Sequence, residues 1–376
     1  MSETTVATLI IEASERDSDL LWVSGFRAGD PFVFVEIGGR THLLLTNLEL
    51  GRGRKESRVD EVHSWTEAAA AAADALGRPA RYGEVVAHFL RGHEIAEVRV
   101  PARFPLRIAD ELREAGISVI SAADPFYPGR GRKSAEEISQ LEEAQRVTEE
   151  AMLFAIDRIR QSEVRGGELH LEGEPLDVDR LKQMVRIFCL EREMALGEFI
   201  VAPGDQGCDP HDCGSGPLRA GETIIIDIFP RHLTTMMWGD MTRTVFKGEA
   251  PAEVRRLHAA VQKAQEAAIA AIAPRVTGDA VHAAVEEVFA RESFPTELRD
   301  GDWVGFFHGT GHGVGLDIHE LPRLMKGGPE LEEGMVVTVE PGLYYPGLGG
   351  CRIEDIVVVT ADGCRNLNRA PKSLEV

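Results

Sequence analysis

The sequence predicts a two-domain protein of the α/β (α+β) class, and three observations carry this prediction. The chain has 376 residues, which exceeds the usual size of a single domain. Strand-like and helix-like segments alternate through about the first 125 residues, as in a small α/β domain. A segment rich in proline, glycine and arginine at residues 124–133 then indicates a linker. We therefore expect an N-terminal α/β domain over residues 1–130 and a second domain over residues 134–376.

Runs of aliphatic and aromatic residues in the first domain predict five short strands, at residues 20–23, 32–37, 41–46, 97–100 and 117–120. Gly38 and Gly39 predict a hairpin turn between the second and third strands. An alanine-rich segment at residues 66–76 predicts a helix, as does a segment at residues 105–115 that Gly116 ends. The polar residues of this domain do not converge on a motif, so the sequence assigns no site to it.

The second domain begins with a strong helix signal. Ser134 and Glu137 form a capping box, and apolar residues at helical spacing extend the helix to about residue 160. Further helices are predicted at residues 178–195, 253–271 and 278–292. The β-branched runs between these helices predict strands, and the polar residues of functional interest adjoin them.

Charge and cysteine content exclude several classes of function. The formal net charge is −21, and the Lys/Arg run at residues 51–55 is short, which argues against nucleic acid as a partner. The five cysteines are scattered and odd in number, so we expect free thiols in a reducing compartment. Cys208 and Cys213 flank His211, but this pair lacks the second pair of a zinc site, and loop thiols are favoured.

The N-terminal sequence has no basic and apolar signal segment, and no stretch approaches the roughly 18 apolar residues that a membrane-spanning helix needs. The sequence therefore predicts a cytoplasmic protein without a membrane partner.

Residues 308–320 concentrate three imidazoles among four glycines, at His308, His312 and His319. Glycines allow the backbone to approach a ligand closely and leave room for the imidazoles in a shared cavity. The alternative is a flexible loop with unrelated histidines. Metal binding or acid–base chemistry is the favoured interpretation.

Four carboxylates adjoin β-branched runs, where an unpaired charge is costly to bury. Asp227 follows Thr-Ile-Ile-Ile, Asp240 precedes Met-Thr-Arg-Thr-Val-Phe, Glu340 follows Val-Val-Thr-Val, and Glu354 precedes Asp-Ile-Val-Val-Val. A cation must neutralise such a group. Four carboxylates and one imidazole are the ligand set of a two-metal hydrolytic site.

These residues resemble those of the pita-bread metallopeptidases, which include methionine aminopeptidases, aminopeptidases P and prolidases. The ligand order of that family, Asp, Asp, His, Glu, Glu, matches Asp227, Asp240, His312, Glu340 and Glu354. Four local motifs also match: Asp-Met-Thr-Arg-Thr, Gly-His-Gly-Val-Gly, Thr-Val-Glu-Pro-Gly and Arg-Ile-Glu-Asp. The resemblance implies a pita-bread catalytic domain that binds two divalent metal ions. Mixed carboxylate and imidazole ligands suit Mn, Co, Fe or Zn.

The resemblance also implies a role for each ligand. Asp227 would chelate one ion, His312 and Glu340 would hold the other, and Asp240 and Glu354 would bridge the two. Two such ions lower the pKa of a shared water toward neutrality. Glu340 would accept the proton of this water and pass it to the leaving nitrogen.

Three further histidines match substrate-contacting positions of the family. His319, seven residues after His312, matches the histidine that steadies the scissile carbonyl. His308, four residues before His312, matches a second such histidine in the proline-specific members. His211, sixteen residues before Asp227, matches a third, and the alternative for it is a surface-loop histidine.

Two features depart from the family pattern. Asp227 and Asp240 are thirteen residues apart, whereas eleven is usual, and Phe229 stands where the family has glycine. We expect the extra residues to lengthen the turn at residues 231–238, because an addition there leaves the register of both strands unchanged. The ligands survive this change, while substrate fit and metal choice are the properties it affects.

The resemblance covers residues 134–368, and it predicts cleavage of the bond before proline in short peptides, as an Xaa-Pro dipeptidase. Arg323 and Arg352 favour dipeptides as the substrates, because a guanidinium group can form two parallel hydrogen bonds with a free α-carboxylate. The alternative for Arg352 is an ion pair with an acid such as Asp355, and for Arg323 a solvated loop position. The relatives also imply a homodimer.

Four rival functions remain open. Aminopeptidase P activity on longer peptides is the first. Methionine aminopeptidase activity is disfavoured by the N-terminal domain and by Arg352 before Glu354. A creatinase-like hydrolase and a metal-free binding module of the same fold are both opposed by the complete set of five ligands.

Overall fold

The structure is a computed structural model, and it describes residues 6–376. The chain divides into two compact units, residues 1–130 and residues 131–376. Within the described range, no helix combines the length and the apolar character that crossing a membrane requires.

The described part of the first unit contains five α-helices and six strands. The strands are β1 (Val6–Glu12), β2 (Phe32–Ile37), β3 (Arg40–Leu45), β4 (Glu61–Ser64), β5 (Glu97–Val100) and β6 (Ser118–Ser121). The helices are α1 (Ser18–Ser24), α2 (Leu50–Glu56), α3 (Trp65–Leu76), α4 (Tyr82–Gly92) and α5 (Leu106–Glu114), and a 3-10 turn follows at Pro128–Gly131.

The six strands form one mixed sheet in the order β4-β3-β2-β1-β5-β6. The hairpin β2–β3 and the pair β1–β2 are antiparallel, while β4, β5 and β6 join in parallel. Successive side chains alternate between the two faces of the sheet. Leu9 and Ile11 pack with Leu90 of α4 on one face, whereas Ile10 packs with Leu20 of α1 on the other. Strand β4 is one edge of this sheet.

The strand predicted at residues 20–23 is wrong, because this segment lies in helix α1. Asp17 caps the helix by accepting a hydrogen bond from the Leu20 amide at 2.7 Å, and Gly25 ends it in the left-handed conformation at φ 62°. A four-residue apolar run does not distinguish a strand from a buried helical turn. The other four predicted strands and both predicted helices of this unit are present within one residue of their expected bounds.

The second unit contains four α-helices and seventeen strands. The helices are α6 (Ala135–Gln161), α7 (Val178–Leu190), α8 (Ala252–Ala271) and α9 (Gly278–Arg291). The first strands are β7 (Glu163–Arg165), β8 (Glu168–Leu171), β9 (Glu174–Pro175), β10 (Met194–Ala195), β11 (Ile200–Pro203), β12 (Thr223–Ile228), β13 (Arg231–His232) and β14 (Met241–Phe246), with a 3-10 turn at Gly204–Cys208. The later strands are β15 (Glu297–Arg299), β16 (Asp302–Val304), β17 (Gly311–Gly313), β18 (Glu320–Leu324), β19 (Val336–Val339), β20 (Gly342–Tyr345), β21 (Gly349–Arg352), β22 (Asp355–Thr360) and β23 (Gly363–Asn366).

Two sheets of this unit carry the residues of functional interest. One has the order β11-β12-β14, and the other has the order β18-β17-β19-β22-β23. The hairpin β20–β21 connects β19 to β22 of the second sheet, and its strand β21 contacts both β12 and β14 of the first. Apolar side chains of α8 and α9 pack with those of β19, β20 and β22 in a core of the unit, with Val261, Val285 and Val337 among them.

Helix α7 is shorter than predicted, because it ends at Leu190 rather than at residue 195. Glu193 adopts a left-handed backbone conformation at φ 59°, which is incompatible with a continuing helix. Met194 and Ala195 then form β10 and pair with β13. The helical pattern of the sequence therefore extends to Ala195, although the helix itself ends at Leu190 and the last two residues pair as a strand.

The longer connection between β12 and β14 forms an extended turn, as predicted. Arg231 bridges to Trp238 across this turn, and the β12–β14 register runs without a shift to the pair Ile228 and Met241. The extra residues therefore leave the strand pairing at the functional positions unchanged.

Candidate metal centre

The pairing of β12 with β14 brings two of the carboxylates onto one face. Asp227 pairs with Thr242, and Asp240 lies two residues before Thr242. Side chains two residues apart in an extended segment share a face, so Asp227 and Asp240 project to the same side. Both side chains are buried.

The other two carboxylates come from strand ends on the second sheet. Glu340 directly follows β19, and Glu354 lies between β21 and β22. The Glu354 amide donates to the Thr242 carbonyl at 3.0 Å, and the Thr242 hydroxyl donates to Glu354 Oε2 at 2.8 Å. Thr242 therefore joins Glu354 to the strand that follows Asp240.

His312 lies in the short strand β17, where the flanking glycines permit close packing. A Cβ on Gly311 would lie 1.9 Å from the Thr338 carbonyl oxygen, and a Cβ on Gly313 would lie 2.3 Å from that of Leu321. The His312 amide donates to the Thr338 hydroxyl at 3.0 Å, and this hydroxyl donates to Glu340 Oε1 at 3.1 Å. The glycines thus allow the strand that carries the imidazole to lie against β19 at Gly311 and against β18 at Gly313.

Asp240, His312 and Glu354 form a compact cluster in which one ligand atom from each lies within 4.8 Å of the others. His312 Nε2 is 3.7 Å from Asp240 Oδ2 and 3.2 Å from Glu340 Oε1. Asp227 extends this cluster along the shared face of β12 and β14. The structure therefore brings all five sequence-predicted ligands to one region of the second unit.

The hydrogen bonds of His312 leave one ring nitrogen for a metal. Its Nδ1 lies 3.1 Å from the Gly313 carbonyl oxygen, which can only accept, so Nδ1 carries a proton. In the neutral ring, Nε2 then has its lone pair available on the side of Asp240 and Glu340. A metal-binding histidine commonly donates its other ring N–H to a carbonyl or carboxylate in this way.

The electrostatics of the carboxylates reflect their burial and mutual repulsion. Burial raises the pKa of Asp227, and Arg352 opposes this rise. Burial raises the pKa of Asp240 well above its ordinary value, and the charges of Asp227 and Glu340 raise it further. Burial raises the pKa of Glu354 well above its ordinary value, and the charges of Asp240 and Glu340 raise it further. Each of these three groups resists ionisation unless a cation is near.

Glu340 differs from the other carboxylates. Burial alone would raise its pKa, but the hydrogen bond and charge of a protonated His312, together with nearby positive groups, outweigh that effect in the metal-free protein and lower the pKa to about 2. Its side chain is 18% exposed, more than that of Asp240 or His312. Glu340 is therefore the ionised and more accessible carboxylate of the group.

The donor set fits divalent metal ions. Carboxylate oxygens and a neutral imidazole nitrogen are ligands for Mn, Fe, Co or Zn. Asp227 Oδ1 is buried and has no hydrogen-bond partner among residues 6–376, although its other oxygen is bound. An unpaired buried carboxylate oxygen beside other acids costs free energy that a cation offsets.

Arg352 has partners other than those considered from the sequence. Its Nη2 donates to Asp227 Oδ2 at 2.7 Å, its Nη1 donates to the Tyr344 hydroxyl at 2.9 Å, and the side chain is buried. Asp355, the alternative partner, instead binds Arg243 and Lys372, each at 2.8 Å. The guanidinium is thus engaged with a candidate ligand, and the expected contact with a substrate carboxylate stays a prediction.

His308 is also bound within the protein. Its Nδ1 lies 2.8 Å from the Gly309 carbonyl oxygen and its Nε2 lies 2.9 Å from the Tyr344 hydroxyl. Burial lowers the pKa of His308 to about 4, so the ring is neutral at pH 7. With Nδ1 as donor, Nε2 accepts from Tyr344. Both ring nitrogens have partners within the protein, and the expected contact of His308 with substrate stays a prediction.

His319 and Arg323 lie beside the cluster. The rings of His319 and His312 meet edge to face, with centroids 4.4 Å apart. Burial and the charge of His312 lower the pKa of His319 to about 4, and Arg323 contributes to this shift. Arg323 is the cross-strand partner of His312 in the β17–β18 pair.

His211 lies on an exposed loop, between β11 and β12. Its charge lowers the pKa of both His308 and His319, although it is the last of the causes in each case. The loop therefore brings His211 within electrostatic range of the cluster.

Two glutamines that the sequence analysis does not single out hold the backbone of the ligands. The side chain of Gln145 in α6 binds both backbone polar groups of Asp240. Its Nε2 donates to the Asp240 carbonyl oxygen at 2.7 Å, and its Oε1 accepts from the Asp240 amide at 2.8 Å. Gln265 of α8 donates to the carbonyl oxygens of Val339 and Ile353, which directly precede Glu340 and Glu354. Each glutamine is a polar residue within an apolar helical stripe, and that signal is visible in the sequence.

Comparison with known proteins agrees with this geometry. The model of the metallopeptidase family M24 matches residues 139–361. A probable dipeptidase PepE of Mycobacterium tuberculosis is 34% identical over 74% of this chain and 68% of its own length. An Xaa-Pro dipeptidase of Pyrococcus furiosus is 32% identical over 64% of each chain.

A solved structure of the X-Pro aminopeptidase of Thermotoga maritima superimposes with a TM-score of 0.82, covering 99% of this chain and 98% of that one at 23% identity. This likeness concerns the fold, which is the pita-bread fold with an additional N-terminal α/β unit. The extent of the family match and the identity to curated relatives settle the assignment: the chain belongs to the metallopeptidase family M24.

Proposed function

We propose that this protein is a metal-dependent Xaa-Pro dipeptidase that hydrolyses the peptide bond preceding proline in dipeptides. The observation that carries the proposal is the buried cluster of Asp240, His312 and Glu354, whose ligand atoms lie within 4.8 Å of one another in an M24 chain. The names of the relatives, a probable dipeptidase and an Xaa-Pro dipeptidase, support the substrate class. In this proposal residues 1–130 form an accessory domain and residues 134–376 the catalytic domain.

Five residues hold two divalent ions in the proposed site. Asp227 would hold one ion, His312 and Glu340 would hold the other, and Asp240 and Glu354 would serve both. The orphaned Asp227 Oδ1 and the His312 tautomer support these assignments. The donor set suits Mn, Co, Fe or Zn. When bound, such ions polarise the scissile carbonyl and make a water molecule more acidic.

Glu340 serves as the proton carrier of the reaction. It is ionised at pH 7, because the interaction with His312 lowers its pKa to about 2, and it is more exposed than Asp240 or His312. A carboxylate in this position can accept a proton from the attacking water and deliver it to the leaving nitrogen. The hydroxyl of Thr338, which donates to Glu340 Oε1, holds the side chain in place.

His319 orients the scissile carbonyl. Its pKa of about 4 makes the ring neutral at pH 7, so it acts as a hydrogen-bond donor rather than as an acid. One part of the residue is accessible to solvent, while its ring packs edge to face against His312, which holds it beside the ligand cluster. His211, on its exposed loop, completes the substrate-binding face in this proposal.

Arg323 recognises the free carboxylate of the proline. Directly opposed residues of an antiparallel pair project to the same face, so Arg323 and His312 share a face of the β17–β18 pair. The Arg323 side chain is half-buried, and within residues 6–376 no acid forms an ion pair with it. A free guanidinium beside the ligand cluster suits a substrate that ends at proline.

Aminopeptidase P activity on longer peptides is the second candidate function, favoured by the fold shared with an X-Pro aminopeptidase. The creatinase-like and metal-free alternatives are opposed by the presence of all five ligands in one region. We also propose that the protein is a homodimer, as the resemblance to proline peptidases implies, and that it acts in the cytoplasm. The five free cysteines of the structure support a reducing compartment.

Hydrolysis of a matched peptide pair tests this proposal. Ala-Pro and Ala-Pro-Ala present the same scissile bond, but only the dipeptide has its free carboxylate on the proline. With Mn²⁺, Co²⁺ or Zn²⁺ added in turn, we expect kcat/KM to be higher for Ala-Pro by about tenfold or more. Equal or faster cleavage of Ala-Pro-Ala would assign the protein to the aminopeptidase P function instead.

A further inference from the structure

A second group of ligand-type residues lies in the first unit, far along the sequence from the five residues of the catalytic cluster. It consists of His42 on β3 and of Glu61 and His63 on the edge strand β4. In the parallel pairing of these strands, Glu61 lies opposite His42 and His63 lies opposite Leu44. Residues two apart on a strand share a face, so the two β4 residues project to the same side of the sheet.

The three side chains converge on one point. His42 Nδ1 lies 3.2 Å from His63 Nε2, Glu61 Oε2 lies 3.8 Å from His42 Nδ1, and Glu61 Oε2 lies 3.5 Å from His63 Nε2. The point equidistant from atoms separated by 3.2, 3.8 and 3.5 Å is about 2.0 Å from each, which is the length of a zinc–nitrogen or zinc–oxygen bond. The spacing is therefore that of three ligands around a single ion.

The surroundings hold these side chains in position. His42 is 3% exposed, and the Phe89 ring of α4 packs against the rings of both histidines with centroids 6.0 and 5.0 Å away. The other oxygen of Glu61 accepts from Arg40 at 2.7 Å, which fixes the carboxylate. Outer contacts of this kind orient the ligands of metal sites.

A simpler account is a hydrogen bond between two neutral imidazoles. The contact between His42 and His63 permits that bond. It does not explain why Glu61 Oε2 approaches the same two nitrogens at 3.5 and 3.8 Å, since both distances exceed a good hydrogen bond. A shared cation explains all three distances.

We propose that His42 Nδ1, Glu61 Oε2 and His63 Nε2 bind a divalent transition metal ion of the zinc class. The ion ties the edge strand β4 to β3, two strands that are also joined by backbone hydrogen bonds and by the Arg40–Glu61 ion pair. This site is separate from the catalytic cluster, and the inference does not rest on the proposed peptidase function.

Zinc binding by the full chain tests the site. The parent protein, His63→Gln and the control His88→Gln are stripped with a chelator and dialysed against buffered Zn²⁺, and bound zinc is measured by atomic emission. His88 is a half-buried histidine of α4 outside the cluster, so it matches His63 in type and unit. Because all three proteins retain the catalytic residues, we expect His63→Gln to bind one zinc ion fewer per chain than the parent and His88→Gln to equal it. Equal zinc content in the parent and His63→Gln would overturn the proposal.

A second variant keeps the test decisive if His63→Gln is poorly folded. Glu61→Gln preserves the size of the side chain and removes only the charge, and circular dichroism reports whether the fold is intact. In zinc titrations, one zinc ion per chain should bind to Glu61→Gln with an affinity at least about tenfold lower than in the parent and in His88→Gln. An unchanged zinc affinity in folded Glu61→Gln would also overturn the site.

Discussion

Arg352 and Asp227 form a buried ion pair, with 2.7 Å between Nη2 and Oδ2. The same guanidinium donates to the Tyr344 hydroxyl, and that hydroxyl lies 2.9 Å from His308 Nε2. One oxygen of a candidate metal ligand is thereby fixed, while its Oδ1 has no hydrogen-bond partner in the described part of the chain. Arg352 is therefore a positioning residue for Asp227.

A double-mutant cycle measures this coupling. Arg352→Met should lower the free energy of unfolding by about 3–5 kcal/mol in chelator, because it leaves Asp227 buried without its counter-charge. In an Asp227→Asn background the same change should cost much less, since no carboxylate charge remains to be compensated. Urea unfolding of the four proteins gives the coupling free energy. Additive effects of the two substitutions would show that the pair is not coupled.

Glu340→Gln should separate folding from turnover. The amide has nearly the shape of the carboxylate but cannot carry the proton, so we expect kcat on an Xaa-Pro dipeptide to fall about 10²- to 10⁴-fold with an unchanged circular dichroism spectrum. Glu333→Gln, an exposed residue of the same unit, is the control and should retain parental kcat. Turnover of Glu340→Gln within a few-fold of the parent would remove Glu340 from the mechanism.

Arg323→Ala tests the recognition of the proline carboxylate. Loss of a charged hydrogen bond of about 1.5–3 kcal/mol should raise KM for Ala-Pro by one to two orders of magnitude and change KM for Ala-Pro-Ala far less. Lys326→Ala removes a nearby exposed positive charge and serves as the control. If KM rises equally for both peptides, Arg323 does not bind the free carboxylate of the proline specifically.

Gln145→Leu should disturb the site through its backbone. The substitution removes both hydrogen bonds to the Asp240 peptide groups and leaves them buried without partners, which should cost about 2–5 kcal/mol of stability. Gln140→Leu, on the same helix but bonded only to Glu136, should cost less than about 1 kcal/mol. Thermal unfolding of the two variants compares them directly, and equal losses would argue against this role for Gln145.

The sequence predicts the fold class and three residues that the structure brings together, because strand patterns and acid positions are local signals. The α/β class and the M24 family are confirmed, and Asp240, His312 and Glu354 lie in one cluster. The segment predicted as a strand at residues 20–23 lies in helix α1. A run of four apolar residues is too short to show whether its hydrophobic pattern has the period of a strand or of a helix. Asp17 and Gly25, which cap the two ends of this helix, are the residues of the sequence that indicate a helix here.

Contacts between distant segments could not be predicted from one sequence. Arg352 meets Asp227 across 125 residues, and Gln145 meets Asp240 across 95. The convergence of His42 with Glu61 and His63 depends in the same way on the parallel pairing of β3 with β4. In each case the order of the strands and the packing of the helices bring the two side chains together. The spacing of residues along the chain does not reveal that order or that packing.

Metal content and hydrolysis measured on the same samples test the central claim most directly. The His63→Gln variant is suited to this experiment, because the cluster in its first unit is disabled while all five proposed catalytic ligands remain. As a chelator withdraws metal, we expect hydrolysis of Ala-Pro to fall in proportion to bound metal, thermal stability to fall with it, and both to return when Mn²⁺, Co²⁺ or Zn²⁺ is restored. Full hydrolytic activity in protein that contains no transition metal would contradict the account.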